Sequence, residues 1–233
     1  GHQVYVFAPM ADMGYLGDYD FEVVDYGSFR INPKLPYSLG MPEMDTHYAR
    51  RIRMTDLDIV HVHSPFMAGR AGLRVAKKRK LPLVGTFHSK YYDDFMQATK
   101  SEVLSKIGVK QVVVDLYEQC DEVWAVTQAS GQTLQEYGYR GNVVVMPNGT
   151  ELRTLDETVL PQLRARFSLE EDVPVLLYAG QLNWKKNILR IFEAAALLKA
   201  EGTRFRLVLA GQGPHREELA RKARELGMEE LVV

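Results

Sequence analysis

The chain has 233 residues, and 46% of them are hydrophobic, which is enough for one large or two small cores. Its 29 Lys and Arg residues balance 30 Asp and Glu residues, which excludes the basic surplus that nucleic-acid-binding proteins need. A single cysteine, Cys120, excludes an internal disulfide and CxxC metal or redox sites, and it fits the reducing cytoplasm.

Short β-branched runs alternate with stretches of helical spacing along the chain, and no apolar run reaches the length of a transmembrane helix. The strands are predicted at 3–8, 21–26, 58–63, 82–88, 122–127, 142–146, 173–179, 204–210 and 231–233. The helices are predicted at 44–55, 67–80, 101–119, 128–138, 157–167, 188–201 and 215–226.

This alternation predicts an α/β fold with parallel sheets. It is interrupted once, after Pro147-Asn148-Gly149, so we predict two Rossmann-like, doubly wound domains at 1–152 and 153–233. The chain opens inside a strand without Met and ends in half of one, so we expect the first domain to lack its first strand and the second domain to be incomplete. Ligands of such open sheets bind beyond the carboxyl ends of the strands, so the residues there are the candidates.

Histidines follow two neighbouring predicted strands. Strand alternation places His61 and His63 on one face, just before Ser64. A metal pair is disfavoured because no third ligand has a recognisable spacing, so we expect one histidine to line the cleft and the other to satisfy a buried hydrogen bond. His88 ends the next strand, ahead of Lys90, and its residue type alone allows a core residue, a general base or a substrate contact.

The loop at 180–187 has the features of a phosphate site. Gly180 and Gln181 follow a strand, and Lys185, Lys186 and Asn187 lead directly into a helix. A lysine beside the free amides of a helix N-terminus attracts a phosphate, whereas the alternative is a solvated loop with ordinary surface lysines. The Gly-x-Gly at 211–213 is weak evidence, because it serves turns as well as ligands and does not complete a dinucleotide motif.

Two basic clusters, at 50–53 and 77–80, lie late in predicted helices. Favourable interaction with the dipoles at helix C-termini explains these clusters. The more specific alternative is that they form a surface that binds anionic lipid. The aromatic residues Tyr91, Tyr92 and Phe95 are predicted to lie in a loop, where they either contact an acceptor or pack.

Seven segments together resemble the GT-B glycosyltransferases of family 4, also called group 1. In chain order they are 1–6 (GHQVYV), 58–65 (DIVHVHSP), 86–88 (TFH), 120–127 (CDEVWAVT), 145–150 (VMPNGT), 180–187 (GQLNWKKN) and 211–214 (GQGP). The resemblance implies two Rossmann-like domains, an acceptor side followed by a nucleotide-sugar donor side. It also implies transfer of a hexose, with UDP as the default nucleotide, to a hydroxyl acceptor with retention of anomeric configuration.

Site residues follow from the resemblance one by one. His88 matches the histidine that contacts the donor sugar, and we take it as the catalytic residue. Lys186 matches the lysine that neutralises the leaving diphosphate, and Gly180, Gln181 and Asn187 surround that site. His63, Ser64 and Lys90 are predicted to line the cleft or contact the acceptor, for which a lipid is one candidate. No metal or cofactor is implied, and the location implied is cytoplasmic, with peripheral contact at the inner face of the membrane as an option.

The sequence also departs from the family pattern. Gln181 stands where many relatives carry an arginine, so it supplies a hydrogen bond without the charge. The Gly-rich loop after the first strand and the Glu-x7-Glu motif of the donor side would lie outside this chain. We therefore expect the 233-residue chain to be catalytically inactive. The alternatives are a nucleotide- or carbohydrate-binding module without turnover and, third, nucleotide-sugar hydrolysis or epimerisation.

Overall fold

The computed structural model of the chain describes residues 1–9, 19–29, 39–152, 154 and 156–232. The chain divides into two compact units, Gly1–Thr150 and Glu151–Val233. Parallel strands joined through helices build each of them, so the predicted α/β fold is confirmed.

The main sheet of the first unit is parallel, and its strands follow one another in chain order. These strands are β5 (Val60–Val62), β6 (Leu83–Phe87), β7 (Glu122–Ala125) and β8 (Val144–Val145). A parallel pair and a short antiparallel pair precede it, formed by β1 (Tyr5–Pro9) with β2 (Glu22–Tyr26) and by β3 (Ser28–Phe29) with β4 (Leu39–Gly40). The carboxyl ends of β5, β6 and β7 therefore lie side by side.

The helices of this unit connect or follow these strands. They are α1 (Thr46–Met54), α2 (Met67–Arg79), α3 (Tyr92–Thr99), α4 (Glu102–Gly108), α5 (Asp115–Tyr117) and α6 (Gln128–Glu136). Asp45 caps α1, because its carboxylate accepts hydrogen bonds from the amides of His47 and Tyr48 at 2.8 and 3.1 Å. The amide of Gly27 donates to the same carboxylate at 2.7 Å, and this bond in particular lowers the pKa of Asp45.

A π-helical segment, Val109–Val114, joins α4 to α5. Such a segment disturbs the α-helical hydrogen-bond pattern, and a side chain from α2 compensates for it. The Arg70 guanidinium donates to the carbonyls of Gln111 and Val112, both at 3.0 Å, and to the Asp115 carboxylate at 2.5 Å. Arg70 thus ties α2 to the long helical stretch on the same side of the sheet.

The core of the first unit lies between the main sheet and this helical layer. Its fully buried side chains include Phe87, Val113, Leu116, Tyr117, Val123 and Leu134. The hydroxyl of Tyr117 donates to the carbonyl of Thr86 at 3.0 Å, so the helical layer is also bonded to the middle of β6. At the edge, Arg79 at the end of α2 donates to the carbonyls of Ile52 and Thr55 at the end of α1.

The second unit has one parallel strand pair with helices around it. Its elements are α7 (Leu160–Arg166), β9 (Val175–Ala179), α8 (Ile188–Ala200), β10 (Arg206–Ala210) and α9 (Arg216–Glu225). Phe192 of α8, Leu207 of β10 and Met228 are fully buried together in its core. Val232 forms a parallel bridge with Leu207, which confirms the predicted strand at that residue, while Val233 lies outside the described residues.

Three sequence predictions need correction. Tyr92 and Phe95 lie in helix α3 and not in a loop, and Tyr91 is the residue that precedes that helix. The short pair β3 and β4 was not predicted, because two-residue strands carry no periodic signal. The remaining predicted strands exist, but most begin one or two residues later than predicted, and four of them also end one or two residues earlier.

Candidate functional site

Three polar or aromatic side chains lie on neighbouring strands of the main sheet. Thr86 on β6 is the register partner of Trp124 on β7, and His61 lies on the adjoining strand β5. A ring nitrogen of His61, Nε2, is hydrogen-bonded to Oγ1 of Thr86 at 2.7 Å. The Trp124 ring contacts the His61 ring edge-on, with centroids 5.0 Å apart. His61 is therefore fixed from two strands.

A pair of histidines lies at the carboxyl ends of β5 and β6. Nδ1 of His63 is hydrogen-bonded to Nε2 of His88 at 2.8 Å. The His63 ring also lies against the His61 ring, with centroids 4.1 Å apart, as strand alternation predicts for positions two residues apart. His61, His63 and His88 consequently form one continuous row, and we call these three residues the histidine row.

The electrostatics of the row favour neutral rings. Partial burial lowers the pKa of all three histidines. The effect is largest for His63, whose pKa falls to about 4, because its two neighbours also repel a second positive charge. At neutral pH the row therefore offers neutral imidazoles, which donate and accept hydrogen bonds.

The other two residues predicted to line the cleft are placed differently. The Ser64 hydroxyl accepts a hydrogen bond from the amide of Phe66 at 3.4 Å, so it helps to shape the turn that leads into α2. Lys90 is exposed in the turn before α3, and within the described ranges no hydrogen bond or ion pair links it to the histidine row. The structure thus brings His63 and His88 together, whereas Ser64 and Lys90 flank them along the chain.

The second unit holds the predicted phosphate-binding residues. Trp184–Lys186 form a turn of 3-10 helix, Asn187 adopts the left-handed conformation with φ of 49°, and α8 begins at Ile188. The Lys186 side chain is exposed, and it makes no hydrogen bond or ion pair with any described residue. An ammonium group thus lies immediately before the N-terminus of a thirteen-residue helix, next to the carboxyl end of a parallel strand.

The loops that follow β9 and β10 lie against each other and form the base of this site. The amide of Gly180 donates to the carbonyl of Ala210, and the amide of Leu182 donates to that of Gln212, both at 2.9 Å. The loops approach so closely that a Cβ atom on Gly211 would lie 1.8 Å from the carbonyl oxygen of Gly180. The glycines at 211–213 therefore permit backbone contact between the loops, which is the turn-type role that the sequence left open.

Gln181 is oriented by its neighbours. Its carbonyl accepts from the Tyr178 hydroxyl at 2.8 Å, and its side-chain oxygen accepts from Nδ2 of Asn183 at 2.9 Å. The side-chain NH2 of Gln181 has no acceptor among the described residues. Two buried atoms nearby, Oδ1 of Asn183 and Nδ1 of His215, lack a partner among the described residues. The sequence analysis did not select Asn183 as a site residue. The only indication in the sequence is that it lies two residues after Gln181.

Neither unit offers a metal centre in the part of the chain that the structure describes, since no three His, Cys, Asp or Glu side chains converge there. Helices long and apolar enough to cross a bilayer are likewise not found among the described residues.

Comparison with known proteins assigns the family. The model "Glycosyltransferase Family 4" matches residues 1–154, which is more than half of the chain. The chain belongs to this glycosyltransferase family. Residues 161–233 match the model "Glycosyl transferases group 1", so the two matches follow one another as the resemblance predicted.

Curated relatives of this family-4 chain include two alpha-monoglucosyldiacylglycerol synthases. The protein from Streptococcus pneumoniae is 26% identical over 76% of this chain and 41% of its own length. That from Acholeplasma laidlawii is 23% identical over 94% of this chain and 57% of its own length. The chain thus spans about half the length of the relatives that it matches.

A solved structure of similar fold is the sucrose-phosphate synthase from Thermosynechococcus elongatus. It superimposes with a TM-score of 0.66 at 17% identity, over 99% of this chain and 59% of that protein. The likeness confirms the GT-B fold that the sequence resemblance implied.

Proposed function

We propose that this chain carries the acceptor side and part of the donor side of a retaining hexosyltransferase. The donor is a nucleotide sugar, with UDP as the nucleotide, and the acceptor is a hydroxyl group. The observation that carries the proposal is the position of Lys186, which has no partner among the described residues, just before the N-terminus of α8 in the loop that follows β9. This arrangement suits a diphosphate, because the cation and the helix amides attract the same anion.

The proposed chemistry assigns a task to each group. The bond between the anomeric carbon and the diphosphate breaks, and the acceptor oxygen forms its bond on the same face. The proton of the acceptor hydroxyl passes to the leaving phosphate oxygen. Lys186 stabilises the charge that develops on the diphosphate, and Gln181 adds an uncharged hydrogen bond. Neutral His88 contacts the donor sugar, and Gly180 and Asn187 shape the loop around the phosphates.

We propose a lipid as the acceptor, because the names of the two related synthases contain glucosyl and diacylglycerol. The surface of the first unit supports contact with a bilayer. Arg79 bonds to the end of α1, so the basic residues that end α1 and α2 lie near each other, and Arg50, Arg53, Lys78 and Lys80 are exposed. Such a basic surface is attracted to anionic lipid, which supports the proposal that the protein acts at the cytoplasmic face of the membrane.

The test is a calorimetric titration of UDP and UDP-glucose into the purified chain and into Lys186→Ala. Removing a charge-assisted bond to phosphate is expected to weaken UDP binding by about 10- to 100-fold. Lys222→Ala is the matched control, because that lysine lies on α9 of the same unit and faces Glu225. Equal affinity of UDP for the parent chain and for Lys186→Ala would refute the proposed donor site.

A transfer assay separates the enzyme from the alternative binding module. UDP-[14C]glucose and diacylglycerol vesicles are incubated with the chain, and labelled glycolipid is extracted. The prediction that the 233-residue chain itself is inactive stays a prediction, and accumulation of labelled lipid would contradict it. The same assay on a longer chain that includes these residues decides between transfer and binding alone.

A further inference from the structure

We propose that His63 is a positioning residue that holds the imidazole of His88 in one tautomer and one orientation, so that Nδ1 of His88 faces the ligand as a hydrogen-bond acceptor. The tautomer is a property of the chain itself. The assignment of the ligand as a hydroxyl of the donor sugar rests on the proposed function.

The hydrogen bond between the two rings carries the argument. A neutral imidazole has one nitrogen that donates and one that accepts, so a bond between two rings couples their proton positions. If Nε2 of His88 donates to Nδ1 of His63, both rings carry their proton on Nε2. If Nδ1 of His63 donates instead, both carry it on Nδ1. Either way the 2.8 Å contact gives the two histidines the same tautomer.

The ordinary preference of neutral histidine for the Nε2–H form decides between the two arrangements. Nε2–H of His88 then donates to His63, and Nδ1 of His88 is an acceptor. Within the described ranges this nitrogen has no protein partner, so it is the atom that a ligand can reach. It matches a group with a proton to donate, such as a sugar hydroxyl, and it disfavours a carboxylate or phosphate oxygen.

The surroundings hold His63 in place for this task. The His61 ring lies against it, and His61 is fixed by its bond to Thr86 and its contact with Trp124. Glu122, a carboxylate on the neighbouring strand β7, accepts a hydrogen bond from the indole of Trp124. The ring contacts of the pair within the described residues are therefore with other neutral imidazoles. This environment disfavours a proton on either ring and keeps the bond between two neutral partners.

The test reads the tautomer directly. Uniformly 15N-labelled chain is examined by long-range 1H–15N correlation at pH 7.5, with the ring signals assigned by single substitution. We expect both His63 and His88 in the Nε2–H form. In His63→Leu the His88 nitrogens should move toward averaged shifts, because the fixed acceptor is lost. His63→Asn, whose side-chain oxygen can take the place of Nδ1, should restore the shifts of His88.

The same spectra provide the control for this proposal and show which results would contradict it. His47→Asn, on exposed α1, should leave the signals of His88 unchanged. If His63→Leu also leaves the ring shifts of His88 unchanged, His63 does not position it. If His88 carries its proton on Nδ1 in the parent chain, the assignment of Nδ1 as an acceptor is wrong.

A binding measurement keeps this inference distinct from the donor proposal. His63→Leu should reduce the ratio of UDP-glucose to UDP affinity by about 3- to 10-fold, because one hydrogen bond to the sugar is impaired. The affinity for UDP alone should not change. Failure of UDP to bind any variant counts against the donor proposal, while the ring spectra still decide the role of His63.

Discussion

At the scale of single residues, the base of the phosphate-binding loops depends on a glycine. A Cβ atom on Gly211 would collide with a backbone oxygen at 1.8 Å, and backbone cannot move aside as a flexible side chain can. The two loops are also hydrogen-bonded to each other through Gly180 and Leu182, so a collision would separate both strand ends.

Gly211→Ala is therefore expected to destabilise the second unit by about 1–3 kcal/mol, as overpacking typically does. The measurement is urea unfolding followed by circular dichroism. Gly149→Ala is the control, because a Cβ there meets nothing within 4 Å, and its free energy of unfolding should stay within about 0.5 kcal/mol of the parent value. Similar stability of both variants would show that the loops can separate without cost.

The sequence allowed only part of the histidine row to be predicted. Strand alternation places His61 and His63 on one face, and this prediction is confirmed by their ring contact. The bond between His63 and His88 depends on the register of β5 against β6, in which Val62 lies opposite Gly85. A single sequence does not contain this register, because it is set by packing on both faces of the sheet.

At the scale of elements, α3 shows why a helix can escape prediction. It has eight residues, and Tyr91 at its N-terminus supplies no side-chain cap. Its position is instead set by tertiary contacts, since the rings of Phe66 and Tyr91 pack edge to face and Phe95 lies close to Gly108 of α4. Propensity and capping signals carry little information where aromatic packing decides the conformation.

The π-helical segment is a second feature that the hydrophobic periodicity of the sequence does not predict. Its carbonyls are satisfied from another element, by Arg70 of α2. Arg70 therefore links α2 to the π-helical segment within the helical layer on one side of the sheet.

Arg70→Ala should lower the free energy of unfolding by about 1–3 kcal/mol, because the carbonyls of Gln111 and Val112 lose the guanidinium donor and the Asp115 carboxylate loses its ion pair. Guanidinium chloride unfolding measures the change. Arg74→Ala on the same helix is the matched control. Arg74 forms an exposed ion pair with Glu43, so its loss should cost less than about 1 kcal/mol. An equal effect of the two substitutions would mean that Arg70 acts only as a surface charge.

At the scale of the whole molecule, each unit has a core of its own. The buried cluster around Phe87 and Tyr117 lies in the first unit, and that around Phe192 and Leu207 lies in the second. The sequence predicted this two-part organisation, because the alternation of strands and helices is interrupted once, after Pro147-Asn148-Gly149, and then restarts. The limits of individual strands depend on tertiary packing and were less well predicted.

Phe192→Ala should destabilise the second unit by about 3–5 kcal/mol, since the ring is fully buried on α8. Hydrogen exchange with mass spectrometry should show faster exchange in β9 and β10 and unchanged exchange in β6. Leu197→Ala provides the comparison, because that side chain is 68% exposed on the same helix and its loss should have little effect. Equal acceleration in β6 would contradict the separation of the two cores.

The edge-on contact between Trp124 and His61 has an optical consequence. The chain has two tryptophans, Trp124 and Trp184, and Trp124 is the one whose ring contacts His61. A protonated imidazole quenches the fluorescence of an adjacent indole, whereas a neutral one does so weakly. The emission of Trp124, isolated by replacing Trp184 with phenylalanine, would therefore report the charge of the histidine row without any added label.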